Sequence, residues 1–265
     1  MIRLIATDLD GTLLNNEHKI SDYNKKIISA VNEKGIKFIL STGRPTSAAT
    51  KFLEDLNIET DMISFNGAMI TDRKGNILYE DNLESHIGKE LIEIAKKYKV
   101  YYQGFLGERW NLSDSKSKWL DFYISIAKIN NYKLGFDNIK DFSFSKFMFI
   151  GENHILKEIA KEIDKKLKDK VYYTFSRPVY LEVHSPKVSK ANALSFLLKK
   201  YNIGRENIMA FGDNNNDIEM LELAKISVAV ENAESIIKEK AKYITKSNIE
   251  NGVGYFINEY FNLGL

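Results

Sequence analysis

The chain has 265 residues, 44% of them hydrophobic and 28% charged, with Lys+Arg 38 against Asp+Glu 36 and no cysteine. That length accommodates one large domain or two modest ones. The net charge of +2 supplies no global attraction for nucleic acid or an anionic membrane, and the lack of cysteine excludes disulfides, thiolate catalysis and cysteine-ligated metal centres. No apolar run approaches the roughly 20 residues of a membrane span, and the first residues show no leader pattern, so a cytoplasmic setting is expected.

Short apolar runs alternate with longer helical patterns, the signature of βαβ units and a parallel sheet. The first strand is Ile2 to Thr7. A helix follows from Ser21, a capping residue type, with Ile27, Ile28 and Val31 inward and Gly35 as its stop. The run IKFIL at 36–40 forms a second strand, and another helix begins near Pro45, a residue suited to a first helical turn. A third strand covers 61–65. These runs are apolar on both faces, as strands sandwiched between helices require.

After residue 81 the texture changes. A helical pattern at 84–100 leads into strands within 101–112, a helix near 117–130, a period-2 run at 141–151 and a charged helix at 153–168. Two strands within 171–183 are joined by a turn at Arg177 and Pro178. This aromatic-rich third is expected to be an α+β module built on an antiparallel sheet. From Ser189 the βα rhythm returns: helix 189–201, strand 207–211, helix 217–224, strand 226–230 and a closing helix at 252–261. The expected organisation is an α/β core of residues 1–81 plus 187–265, interrupted by an inserted module at 82–186.

Four loops carry the chemistry: Asp8-Leu9-Asp10-Gly11-Thr12, Ser41-Thr42-Gly43-Arg44, Ser189-Lys190, and Gly212-Asp213-Asn214-Asn215-Asn216-Asp217. Ligands of parallel sheets gather at the carboxyl ends of strands. Asp8 and Asp10, at i and i+2 on a strand, would point the same way and repel, so a local cation is expected. In GDNNND, Asn216 is a candidate cap for a helix starting near Asp217. Lys190 sits in the first turn of a helix capped by Ser189, where a cation is mildly unfavourable unless an anion is near. A carboxylate attacking a phosphate dianion meets about 4 kcal/mol of repulsion per charge pair at 4 Å with an effective dielectric of 20. Oxygen-only ligands with room for waters suit Mg²⁺.

The stretches DLDGTLL, STGRP, VSKANAL and GDNNNDIEML, in this order, resemble the motifs of the haloacid dehalogenase superfamily of phosphatases. SFNGAMI at 64–70 and the placement of the inserted module resemble its Cof-type branch, which carries a large α/β cap. The resemblance implies a Rossmann-like parallel-sheet core and a cap that governs substrate choice. It also implies a Mg²⁺-dependent phosphomonoester hydrolase acting on small phosphorylated metabolites, such as sugar phosphates or nucleotides, through an aspartyl-phosphate. Asp8 would be the nucleophile and Asp10 the proton carrier. Thr42, Gly43, Leu9 and Asn216 would hold phosphoryl oxygens, with Asn66 at the substrate entrance and Lys190 neutralising the transferring group. The metal would be held by Asp8, Asp213 and the backbone carbonyl of Asp10, with Asp217 orienting Lys190 or a metal-bound water. Ala191 and Asn215 depart from the pattern without removing a catalytic group.

Two alternatives share this site, a sugar-phosphate mutase or phosphotransferase and a catalytically silent sugar-phosphate-binding protein. A phospho-receiver module would be far shorter, uncapped and without the second aspartate. The chain lacks a GxxxxGK[ST] loop, and its GVGYFI stretch at 252–257 is not a dinucleotide fingerprint. Arg109 and Arg177 in the inserted module are candidates for a second anion of the substrate.

Overall fold

The computed structural model describes residues 1–127, 129 and 131–265. In chain order the first part of the molecule comprises β1 (Leu4–Thr7), α1 (Asp22–Glu33), β2 (Lys37–Ser41), α2 (Thr46–Leu56), β3 (Met62–Ser64), β4 (Met69–Thr71) and β5 (Ile77–Glu80). The middle part follows with α3 (Ser85–Tyr98), β6 (Tyr101–Leu106), β7 (Arg109–Leu112), α4 (Lys118–Ala127), β8 (Tyr132–Leu134), β9 (Lys146–Ile150), α5 (Asn153–Leu167), β10 (Tyr172–Arg177) and β11 (Tyr180–His184). The last part contains α6 (Lys190–Tyr201), β12 (Ile208–Gly212), α7 (Ile218–Leu223), β13 (Ile226–Ala229), α8 (Ser235–Lys240), β14 (Tyr243–Ile244) and α9 (Gly252–Phe261). Contacts divide the chain into two units, Met1–Tyr79 with Ser189–Leu265, and Glu80–Val188.

The first unit is built on one sheet in the order β14-β13-β12-β1-β2-β3-β4-β5. Pairing is parallel from β14 through β3, and β4 then returns antiparallel to β3. Alternation along each strand feeds two apolar layers. Ile5, Phe38, Leu40, Met209 and Phe211 face Ile27, Ile28, Val31, Phe52 and Val253, from α1, α2 and α9. Leu4, Ala6, Ile39, Ile63 and Ala210 face Leu194, Leu197, Met220 and Ile237, from α6, α7 and α8. Helices therefore cover both faces at the middle of the sheet, which is why β1, β12 and β13 are buried along their whole length.

The inserted unit holds a six-stranded sheet in the order β10-β11-β9-β6-β7-β8. It is antiparallel except for β7 and β8, which run parallel and make the sheet mixed rather than wholly antiparallel. Helices α3 and α5 cover one face through Leu91, Ile94, Ile159 and Ile163 against Phe147, Phe149, Leu181 and Val183. The helix expected over 117–130 occupies Lys118–Ala127; its expected last turn reaches Lys128 and Asn130, which lie outside the described residues.

Helix α2 starts at Thr46, directly after Pro45, where the sequence placed it. Two local expectations are corrected. The third strand stops at Ser64, because Phe65, Asn66 and Gly67 all take positive φ and turn the chain into β4. Asn214, not Asn216, caps the turn after β12, in a reciprocal arrangement with Asp217.

Candidate active site

The three central strands β12, β1 and β2 run parallel and side by side, so their carboxyl-end loops emerge on one edge. β1 ends at Thr7, and the Asp8 N–H donates to the Phe211 carbonyl at 3.1 Å. Asp8 is therefore fixed to the end of the neighbouring strand before the chain leaves the sheet. The next five residues coil irregularly, with Gly11 at φ +83°. A Cβ at Gly11 would lie 2.5 Å from an Asp213 carboxylate oxygen, so only glycine admits that approach. Thr12, fully buried, donates its hydroxyl to Asp213 Oδ1 at 2.5 Å.

The premise that Asp8 and Asp10 share one face of a strand fails, because the strand has ended before either residue. Asp8 is buried and Asp10 is exposed. Both oxygens of Asp10 receive the Arg44 guanidinium, at 2.6 and 2.5 Å, and the His18 ring lies 3.7 Å away.

Lys190 opens α6 after Ser189, whose side chain accepts the Asn192 N–H. Its side chain is fully buried, with Nζ 2.5 Å from Asp8 Oδ1 and 2.7 Å from Asp217 Oδ1. The other Asp217 oxygen accepts the backbone N–H groups of Asp213 and Asn214 at 3.0 and 3.1 Å. Asp217 is thus tied to Lys190 and to its own loop. Burial alone would push the Lys190 ammonium down, but the Asp217 and Asp8 carboxylates outweigh it and hold the group above its ordinary value. Burial raises Asp8 well above the usual carboxylate range; Lys190 opposes this, while Asp217, Asp213 and Asp10 add to it. Asp213 is pushed up to about 6 by burial and the Asp217 charge, moderated by the Thr12 hydroxyl.

Carboxylate oxygens of Asp8, Asp213 and Asp217 lie within 4.8 Å of one another. At that separation each like-charge pair repels by about 3–4 kcal/mol with an effective dielectric of 20. One ammonium among three carboxylates leaves the cluster short of positive charge. An all-oxygen donor set with depressed acidity fits a hard divalent cation. Asp8 and Asp213 have oxygens suited to it, whereas both Asp217 oxygens already accept hydrogen bonds.

The loop after β2 supplies the remaining groups. Buried Thr42 donates its N–H to Ile63, and its hydroxyl accepts the Arg44 N–H at 3.1 Å. A Cβ at Gly43 would meet the Asn66 side-chain oxygen at 2.7 Å. That same oxygen accepts a hydrogen bond from the Asn216 amide at 2.9 Å. Leu9 follows Asp8 directly, and its side chain is anchored in the apolar layer. The fold thus gathers Asp8, Asp213, Asp217 and Lys190 in one cluster, and Asn66, Asn216 and Gly43 in an adjoining one. Asp10 joins Arg44 instead. Arg109 and Arg177 are both exposed in the inserted unit.

Sequence reasoning missed Thr12 and the grip of Arg44 on Asp10. Both residues stand inside motifs already singled out, and only the fold pairs them with their partners.

Comparison with known proteins accords with this geometry. Over 259 residues the chain is 34% identical to the 5-amino-6-(5-phospho-D-ribitylamino)uracil phosphatase YcsE of Bacillus subtilis, covering 98% of this chain and 96% of that one. It is 31% identical over 267 residues to the putative phosphatase YxeH of the same organism, covering 98% of each. A crystal structure of a haloacid dehalogenase-like hydrolase from Bacteroides thetaiotaomicron superposes with a TM-score of 0.90 at 28% identity, over 98% of this chain and 100% of that one. The sequence pattern of the haloacid dehalogenase-like hydrolases itself matches residues 5–257. With a buried aspartate paired to lysine at the strand ends and that pattern spanning nearly the whole length, the protein belongs to the haloacid dehalogenase-like hydrolases and is a phosphatase.

Proposed function

We propose that the protein hydrolyses phosphomonoesters of small metabolites through an aspartyl-phosphate at Asp8, with Mg²⁺ as its cation. The observation that carries this reading is the Asp8 carboxylate, buried, 2.5 Å from Lys190 Nζ and at the end of the strand where two further aspartates converge.

An Asp8 oxygen forms a bond to phosphorus while the ester P–O bond breaks, and Asp10, once its carboxylate has left Arg44 and carries a proton, gives that proton to the departing alkoxide. A water then attacks the same phosphorus, Asp10 takes the water's proton, and the Asp8–phosphorus bond breaks to release phosphate. Lys190 neutralises charge on the transferring group, while Thr42 and the N–H groups of Gly43 and Leu9 bind its oxygens. Asp8 and Asp213 would hold the Mg²⁺, with the Asp10 carbonyl. Once bound, it supplies charge neutralisation for an anionic nucleophile meeting an anionic substrate. Asp217 holds Lys190 in place.

The relative named for a phosphorylated ribitylaminouracil supports a small phosphorylated metabolite as substrate class. The test is phosphate release from a panel of such compounds, with Mg²⁺ or with EDTA, beside Asp8→Asn. Release that needs the metal and vanishes in the variant is expected. Undiminished release by Asp8→Asn would reject the proposal.

A further inference from the structure

Phe65, Asn66 and Gly67 are three successive residues with φ of +52°, +59° and +106°. A bulky aromatic rarely adopts the left-handed region, and Phe65 is fully buried there. What the turn touches accounts for its retention. The Phe65 N–H donates to the Arg44 carbonyl and the Asn66 N–H to the Thr42 carbonyl, both at 3.0 Å. A Cβ at Gly67 would lie 2.2 Å from the Ser189 carbonyl oxygen and 3.1 Å from the Lys190 backbone nitrogen. The Asn66 side-chain oxygen accepts the Asn216 amide, 150 positions along the chain. One tight turn is thus bonded to, or closely packed against, the loop after β2, the start of α6 and the loop after β12.

We infer that the Phe65–Asn66–Gly67 turn braces the phosphate-binding loops, and that Asn66 is a positioning residue acting through Asn216. The inference rests on the proposed phosphatase mechanism and deepens it. The Asn66 side chain fixes where the Asn216 amide stands, and the backbone of the turn fixes Thr42 and Arg44. The alternative is that the turn only reverses the chain between β3 and β4.

Asn66→Gly separates the two, because glycine accepts φ +59° and deletes only the amide. The expected result is an unchanged melting temperature within a few degrees. Inhibition by orthovanadate should weaken about tenfold and kcat should fall about tenfold, equally for alkyl and aryl phosphates, since the defect lies at the phosphate and not at the leaving group. In an Asn216→Ala background, Asn66→Gly should add less than about twofold. Asn66→Ser, whose hydroxyl falls short of Asn216, is a second variant that should show the same losses. Wild-type vanadate affinity and kcat in either folded variant, or fully additive effects in the pair, would overturn the brace. Asp8→Asn run in parallel keeps the two proposals apart: an active Asp8→Asn strikes the mechanism, whereas an inactive Asp8→Asn beside a normal Asn66→Gly strikes the brace alone.

Discussion

Replacing Lys190 by methionine leaves three carboxylates together without their ammonium. In the native chain Nζ lies 2.5 Å from Asp8 and 2.7 Å from Asp217, and the Lys190 and Asp217 side chains are fully buried. Removing one partner of a buried ion pair costs about 3–5 kcal/mol, because the other charge stays buried and unpaired. Each kcal/mol lowers Tm by about 2–4 °C in a chain of this size, so Lys190→Met should melt about 6–20 °C below wild type at pH 8 in EDTA. The deficit has a sign with respect to pH. Without Lys190 the folded carboxylates titrate further above their unfolded value, and stability is lost as pH rises through the interval between the two. The deficit at pH 5 should therefore be smaller than at pH 8. Adding Asp217→Asn removes one of the stranded charges yet keeps an oxygen for the N–H groups of Asp213 and Asn214. The double variant should recover a few degrees while remaining inactive. Differential scanning fluorimetry across pH measures all of this. A Lys190→Met melting point within about 1 °C of wild type at pH 8, or no recovery in the double variant, would refute the reasoning.

Two further outcomes follow from the acidic cluster. With Asp213 pushed up to about 6, protons compete with the metal below that pH, and the Mg²⁺ concentration for half-maximal phosphate release should rise about tenfold between pH 7 and pH 5; a constant requirement would contradict it. In Gly11→Ala the new methyl would press to 2.5 Å from an Asp213 oxygen at a backbone φ of +83°. Metal-stimulated turnover should therefore drop at least about tenfold with the circular dichroism spectrum retained, and wild-type turnover would show that the loops yield.

Much of the core was legible because β1 and β12 are apolar up to their last residues, Thr7 and Gly212, and an aspartate follows each. The elements that escaped are short. β4, β5, β8 and β14 have two to four residues each and α8 has six, too few for any period to register. In GDNNND every side chain after the glycine is able to cap a turn, so local chemistry could not rank them. Asn214 holds the cap because it is the residue that precedes the turn Asn215–Asp217, while the Asn216 amide lies inside that turn and reaches Asn66 across the fold. The grip of Arg44 on Asp10 and of Thr12 on Asp213 spans 34 and 201 positions, distances over which spacing in the chain carries no signal.

The insertion also imposes a timetable. Asp8 and Lys190 are 182 positions apart, with the whole inserted unit between them, and β1 takes β12 as one of its two neighbours. At about 5–20 residues per second, Asp8 leaves the ribosome roughly 10–35 s before Lys190. During that interval β1 has β2 on one side and a bare hydrogen-bonding edge on the other, and the apolar face that α6 and α7 will cover lies open to water. The inserted unit is contiguous and can complete its own sheet in the meantime. The nascent N-terminal segment is thus the aggregation-prone stage of this protein's life, and the nucleophile acquires its counter-charge only after most of the chain has been made.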